Sequence, residues 1–293
     1  MLDEINVHCV FGEKDKTHIQ TVLIPSLLSA TSLRINLHFL NFTPGSGEVI
    51  EYETSSRVSI STTLCDSHSA RGFAANHNFL FSKAKPQTCF LIINPDCIAT
   101  PKMIDIMLAK FNENPTTTGI VEAAQWPYEH PKEFDRKTGH TPWASGACML
   151  INSTFYAANN GMDERFFLYA EDVDLSWASW LTGYGVIYLP TAKVIHFTQG
   201  PHQEAGSWSN EYLYGLRNHV LLLEKYFGPT GRAKALRQVR SIVAKNVFRW
   251  VKNQTDPKDK RLASAFSPRE IKRNPHIKVF GKGLYHRMQV GNL

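Results

Sequence analysis

The chain reads as an α/β protein with a mostly parallel central sheet flanked by helices, followed by a basic helical extension. Three observations predict this. Short stretches with apolar residues at every second position alternate with stretches of helical periodicity through the first two hundred residues. The 293 residues are 43% hydrophobic and 20% charged, enough to bury the core of one large domain, or of one domain plus an appendage. Beyond Gly200 the strand signals stop and basic charge accumulates. The expected organisation is therefore a body over 1–205 and a helical, basic extension over 206–293.

Each element follows from its local pattern. Ile5, Val7, Cys9 and Phe11 alternate with more polar neighbours and predict the first strand. A helix is expected over His18–Ala30, with Ile24, Leu27 and Leu28 on one face; Pro25 marks a late start or a kink. Leu33, Ile35, Leu37 and Phe39 form a second strand, ended by Thr43-Pro44-Gly45-Ser46-Gly47. A helical stretch spans Gly72–Ala84, and the apolar run Thr88–Ile93 suits a fully buried strand. Thr100-Pro101 offers a capping hydroxyl and a proline for the start of a helix reaching about Asn112. Further strands are expected at Gly119–Ala123, Ala147–Ile151, Val186–Leu189 and Lys193–Phe197. Helices Thr154–Asn159 and Glu171–Thr182 should stop at Gly161 and Gly183. Ser207–Phe227 reads as one helix.

Charge is unevenly distributed. Residues 231–293 carry 16 Lys/Arg against 3 Asp/Glu, a net +13 that leaves −7 on the first 230 residues. Such asymmetry calls for an anionic partner. Between Gly231 and Val251, Leu236, Val239, Val243, Val247 and Trp250 recur at helical spacing. Arg237, Arg240, Lys245, Arg249 and Lys252 fall mostly on other faces. That amphipathic basic helix suits an anionic membrane surface, or packing against the body, and the two are compatible. Aromatic residues occur only singly among these charges, which argues against a nucleic-acid partner.

Five cysteines without paired spacing point to free thiols in a reducing compartment. No basic-then-apolar leader opens the chain, and no apolar run reaches the roughly 18–20 residues of a spanning helix. The expected location is cytoplasmic, peripheral at the inner face of the plasma membrane. P-loop, dinucleotide, Gly-x-Ser-x-Gly and HExxH patterns are all missing.

Four segments can carry chemistry. Asn94-Pro95-Asp96 follows a buried strand, where a carboxylate would project from the ligand-binding edge of an open sheet; alone, it is a turn signal. Glu171, Asp172 and Asp174 open a helix behind the aromatic approach Phe166-Phe167-Leu168-Tyr169. Acids there can serve the helix terminus, or a carboxylate beside apolar surface can act as a general base. His196 ends a strand and gains meaning only as a partner for Asp96, as a metal ligand. Trp143-Ala144-Ser145-Gly146 brings small residues into a strand, allowing either close packing or close approach of backbone to a ligand.

In order, these segments resemble the family-2 inverting glycosyltransferases of the GT-A fold, especially the bacterial rhamnosyltransferase-like branch. The residues carrying the resemblance are 72–78, Asn94-Pro95-Asp96, 143–151, 161–175 and Val194-Ile195-His196, with Tyr214 and Arg217-Asn218 on the helix that follows. It covers roughly residues 4–225. The resemblance implies a hexosyl or rhamnosyl transferase that takes a nucleotide-diphosphate sugar, dTDP-rhamnose or a UDP-sugar. The acceptor would be a hydroxyl of a cell-surface glycan such as O-antigen, or of a lipid-linked saccharide. It implies Mn²⁺ or Mg²⁺ held by Asp96 and His196, and Asp172 as general base with Glu171 supporting it. Phe11, Asn41, Arg71, Asn78, Asn94 and Asp96 would lie on the donor side; Trp143, Ser145 and Gly146 would lie on the acceptor side. The chain departs from the family at Asn41, where an acid is usual, at Phe11-Gly12-Glu13, and at Ala178, where an arginine is usual. A non-catalytic GT-A-like scaffold subunit is the alternative.

Overall fold

The structure is a computed structural model that describes residues 2–53, 56–65, 72–196, 210–255, 266–278 and 288–289. Its centre is an eight-stranded sheet. In chain order the strands are β1 (Glu4–Phe11), β2 (Arg34–Asn41), β3 (Val58–Leu64), β4 (Cys89–Ile93), β5 (Cys97–Ala99), β6 (Thr118–Trp126), β7 (Tyr128–Glu129), β8 (Cys148–Asn152), β9 (Gly185–His196) and β10 (Met288–Gln289). The spatial order is β3-β2-β1-β4-β8-β6-β9-β5, with β7 and β10 forming a separate antiparallel pair.

In the main sheet the ladders β1·β2, β2·β3, β1·β4 and β6·β9 are parallel. Those of β4·β8, β6·β8 and β5·β9 are antiparallel. The sheet is therefore mixed, and parallel pairing holds by four ladders to three. Strand β8 enters reversed between two parallel halves, and this reversal brings the start of β8 to the same edge as the end of β4.

Helices cover both faces. A helical run over 13–30 (α1) ends in Ile24–Ala30, and its Ile19–Leu23 turn is π-helical. That wide turn precedes Pro25, whose missing N–H then falls in the first turn of the new α segment, where no partner is needed. The others are α2 (Phe73–Ala84), α3 (Met103–Glu113), α4 (Ser153–Ala158), α5 (Glu171–Leu181), α6 (Asn210–Arg240), α7 (Lys245–Gln254) and α8 (Pro268–Arg273). One core cluster packs β1, β2 and β4 against α1 and α3, through residues such as Val7, Phe39, Leu91, Leu23 and Phe111. A second joins Phe90, Ile92 and Met149 to Ala74, Phe155 and Leu175.

Several elements differ from the sequence reading. Thr100-Pro101 does not cap α3; Thr100 and Met103 close a turn, Lys102 is left-handed at φ 62°, and the helix begins after it. The segments Val186–Leu189 and Lys193–His196 belong to one strand with a register shift, while Phe197 lies outside the described residues. Strand β3 was not anticipated, because Ser59, Ser61 and Thr62 dilute its alternation. The basic helix over 231–251 is broken: α6 ends at Arg240, turns follow, and α7 begins at Lys245. Within α6, Gly228 takes φ 62° and kinks the helix.

Two buried histidines contribute stability that acid removes. Both His8 ring nitrogens and His77 Nδ1 are buried without a hydrogen-bond partner. Burial pulls His8 well below the ordinary imidazole range and His77 down to about 3. Depressed folded-state pKa values mean that the unfolded chain binds protons first, so the contribution of these histidines to stability is full above about pH 6.5 and falls as the pH drops below it. Buried acids with raised pKa values, Glu122 among them, act in the opposite sense, so the histidine contribution is read by difference. In denaturant unfolding the His77→Leu variant should gain stability relative to the wild type as the pH falls from 7.5 to 5, by up to about 1.4 kcal/mol per pH unit below 6.5. A stability difference between the two proteins that does not change with pH would contradict it.

Candidate active site

At the end of β4 the chain turns sharply. Asn94 N–H donates to the Ala147 carbonyl at 2.9 Å, and Cys97 N–H to the Asn94 carbonyl at 3.2 Å. The turn carries Asp96 into the start of β5, and the β5·β9 ladder sets Cys97 opposite His196. Asp96 Oδ1 lies 3.2 Å from His196 Nε2. His196 is buried, and its Nδ1 lies 2.7 Å from Gln125 Oε1. The amide oxygen can only accept, so Nδ1 carries the proton and Nε2 faces the carboxylate. A histidine oriented by a polar group on its far nitrogen is the usual support of a metal ligand.

Cys97 completes a cluster of possible ligands with Asp96 and His196. Burial pushes its thiol well up, and Sγ donates to the Ala147 carbonyl at 3.6 Å, so it stays protonated. One carboxylate and one imidazole remain, a set suited to a hard or borderline divalent ion whose other positions a diphosphate and water would fill.

The acidic helix approaches from the other side. Tyr169 and Ala170 both adopt left-handed backbone, at φ 70° and 66°, immediately before α5. Two consecutive non-glycine residues in that region cost about 1–3 kcal/mol each. Surrounding contacts hold them: Asn218, fully buried on α6, donates from Nδ2 to the carbonyls of Leu168 (2.7 Å) and Tyr169 (2.5 Å). Gly72 abuts the same loop, where an added Cβ would sit 1.8 Å from the Phe167 oxygen. Phe73 N–H donates to that oxygen at 2.8 Å.

So delivered, Asp172 Oδ2 accepts from Gly146 N–H at 2.9 Å and Oδ1 from Val173 N–H at 2.8 Å. Burial raises its pKa, while those two amides and the charge of Lys132 oppose the rise. Glu171 is more deeply buried; burial first, and then Asp172, push it well up, and its Oε2 lacks a hydrogen-bond partner. The neighbouring acids are thus differentiated, with Asp172 the carboxylate suited to accept a proton and Glu171 favoured as a neutral acid. Asp174 belongs to the scaffold: Lys225 lies 2.7 Å from Oδ2 and the Tyr226 hydroxyl 3.0 Å from Oδ1.

A buried charged group beneath the 143–147 loop had no signal in the sequence. Lys132 Nζ lies 3.0 Å from Glu122 Oε2 and 3.5 Å from the centre of the Trp143 ring, and donates to the Trp143 carbonyl. Burial lifts Glu122 to about 8 against the opposing pull of Lys132. Glu129 accepts from Gln125 N–H, His130 N–H and the Tyr188 hydroxyl. Glu122 lies within β6, but Lys132 lies in the irregular stretch that follows β7, where no periodicity marks it.

The remaining sequence candidates divide. Trp143, Ser145 and Gly146 are all buried, and of the three Gly146 meets Asp172, with the Phe73 ring close beside it. Asn94 shapes the Asp96 turn. The Phe11 side chain is not at a surface: it is fully buried against Phe39 in the core, because its position on β1 points beneath the sheet. Asn41 is also buried, donating to Ser46 Oγ and the Glu48 carbonyl and accepting from Thr43 N–H, so its amide organises its own loop. Asn78 turns to the 161–164 turn, accepting from Met162 N–H and the Tyr156 hydroxyl and donating to Met162 O and Glu164. It borders a surface cleft of about 660 Å³ that contains none of Asp96, Asp172 or His196. Arg71 lies outside the described residues.

No protein-family model matches the chain. A stretch of 83 residues is 35% identical to the N-acetylglucosaminyl-diphospho-decaprenol L-rhamnosyltransferase of Mycobacterium tuberculosis, covering 28% of this chain and 24% of that protein. Another of 88 residues is 28% identical to rhamnosyltransferase WbbL of Escherichia coli K12, covering 30% and 33%. The matches thus span a quarter to a third of those relatives. Among solved structures, GalNAc-T7 with UDP, GalNAc and Mn²⁺ superposes with a TM-score of 0.56 at 12% identity, over 87% of this chain and 54% of that one. Mannosyltransferase PcManGT from Pyrobaculum calidifontis, in complex with GDP-Man and Mn²⁺, gives 0.52 at 10%, over 85% and 78%. Staphylococcus aureus TarS gives 0.51 at 11%, over 81% and 42%. The chain therefore has the GT-A glycosyltransferase fold, and the matched stretch, 28–30% of it, is similar in sequence to rhamnosyltransferases.

Proposed function

We propose that the protein is an inverting, divalent-metal-dependent glycosyltransferase. It moves a sugar, with rhamnose favoured, from a nucleotide-diphosphate donor to a hydroxyl of a glycan or lipid-linked acceptor. One observation carries the reading. Ala147 O accepts from the Asn94 turn that bears Asp96, and Gly146 N–H donates to Asp172, so adjacent residues tie the two halves of the site together.

Asp96 and His196 would hold Mn²⁺ or Mg²⁺, which when bound neutralises the donor diphosphate. Asp172 takes the proton of the acceptor hydroxyl. The acceptor oxygen bonds to the anomeric carbon as the bond to the diphosphate oxygen breaks with its electron pair, and attack on the opposite face inverts the centre. Glu171, held neutral, leaves Asp172 as the single base. Trp143 and the Ser145-Gly146 backbone would border the acceptor. dTDP-rhamnose is the favoured donor, supported by the likeness to rhamnosyltransferases, with a UDP-sugar as the alternative. The catalytic body would span 1–205 and the extension 206–293.

The extension would rest on an anionic membrane at the inner face. Support comes from its exposed charges Lys234, Arg237, Arg240, Lys245, Arg249 and Lys252, and not from its apolar stripe. Val239, Val247 and Val251 of that stripe are buried, Val239 and Val251 in a cluster with Val220 and Leu223. No helix among the described residues is long and apolar enough to cross a membrane. The second reading, a non-catalytic scaffold with the same fold, is favoured by Asn41, whose amide serves its own loop where an acid is usual.

Asp172→Asn should abolish transfer, lowering kcat by at least about a hundredfold, while metal-dependent donor binding persists. Asp96→Ala should lose both. A thermal-shift series of nucleotide-sugars with and without Mn²⁺ reads the binding, and unaltered turnover by Asp172→Asn would remove it as the base. Binding to anionic phosphatidylglycerol vesicles should weaken steeply between 0.05 and 0.5 M salt (on the order of a Debye length of 10 Å at 0.1 M). Reversing Arg240, Lys245, Arg249 and Lys252 to Glu should abolish it, and salt-independent binding would contradict an electrostatic seat.

A further inference from the structure

We propose that Asn218, oriented by Arg217, is a positioning residue: a latch on α6 that holds the left-handed turn through which Asp172 reaches its catalytic place. The inference rests on the transferase reading for what the latch serves, and on geometry alone for the latch itself.

The turn gives the latch its purpose. Left to itself, the Tyr169-Ala170 pair would relax to ordinary right-handed or extended backbone, since both carry a Cβ that crowds the left-handed region. Relaxation there would rotate the first residues of α5, and with them Asp172. One side chain bonds to the carbonyls on both sides of the turn's entry, through the Asn218 amide nitrogen to Leu168 O and Tyr169 O. An asparagine amide could face either way, but its orientation is set here. Arg217 Nη1 donates to Asn218 Oδ1 at 2.6 Å, which turns the NH₂ toward the carbonyls. The same guanidinium nitrogen donates to the Arg165 carbonyl at 3.0 Å, anchoring the pair to the start of the loop.

Neighbouring bonds fix the latch's own helix. Lys225, two turns further along α6, lies 3.0 Å from Asp163 and 2.7 Å from Asp174, and Tyr226 also reaches Asp174. The α6 helix is thereby joined to both ends of the stretch 163–174, with Asn218 at its middle. The Arg-Asn pair, which lies outside the metal and base sets, thus acts through backbone geometry.

The test uses the full-length protein. Asn218→Asp keeps the shape but replaces the donor with an acceptor facing two carbonyls; Asn218→Ala serves as the second variant should the first fold poorly. Hydrogen exchange at the amides of 168–173 should accelerate by at least about tenfold in either variant, while β4 amides keep their protection. The kcat should fall about 10- to 100-fold with donor KM changed less than about twofold, as expected for a misplaced base. Unchanged exchange at 168–173 would overturn the latch. Altered exchange with wild-type kcat would overturn its positioning role. Should the wild type turn over no nucleotide-sugar at all, the transferase reading fails, and exchange still decides the latch.

Discussion

The site depends on the short passage Gly146-Ala147 at the mouth of β8. Its carbonyl holds the Asp96 turn and its amide holds Asp172. Strand β8 can do this because it runs antiparallel between β4 and β6, so its beginning lies at the end of β4, where the Asp96 turn projects. The approach at 146 is close: a Cβ there would sit 3.2 Å from the Phe73 ring, which would have to shift by a few tenths of an ångström to admit it. Geometry at one peptide therefore fixes the separation of the two chemistries.

Around that passage, burial sorts the acids. Glu171 and Asp172 are sequence neighbours, yet only Asp172 receives amide hydrogen bonds from outside its own residue, from Gly146 and Val173. Those bonds lower the cost of its negative charge, while Glu171 carries the desolvation without comparable relief. The third acid, Asp174, is paired with Lys225 and Tyr226 and fastens the C-terminal helix to the body. Three acids in four residues thus hold three different roles, set by what each one faces.

Much of this was legible in the sequence. Strict alternation disclosed β1 and β2, and an unbroken apolar run disclosed β4. The pairing of Asp96 with His196 was an expectation of the family resemblance, and the two groups do meet, at 3.2 Å. Less legible was whatever depends on tertiary context. Asn41, Asn78 and Asn94 look alike as polar residues near a site, but only the hydrogen-bond partners show Asn41 and Asn78 serving local turns. Phe11 continues its strand's apolar face into the core, a fact contained in its own alternation and overridden by its nearness to the first loop. Lys132 and Glu122 could not be paired in advance, because Lys132 lies in the irregular segment between β7 and β8, which has no period to place it against β6. The apolar stripe of 231–251 was read correctly as helical in spacing, but its break near Val243 follows from folding back to cover α6.

The central claim is that a single base and a single metal-side pair flank one reacting carbon. The stereochemistry of the product tests this most directly. Proton NMR of the glycoside formed from a donor of known anomeric configuration gives the answer in the anomeric coupling. For rhamnose, the one-bond carbon–proton coupling serves instead. The account predicts the opposite configuration in the product. Retention would contradict it, requiring a second nucleophile or a different direction of attack from the one that Asp172 and Gly146 define.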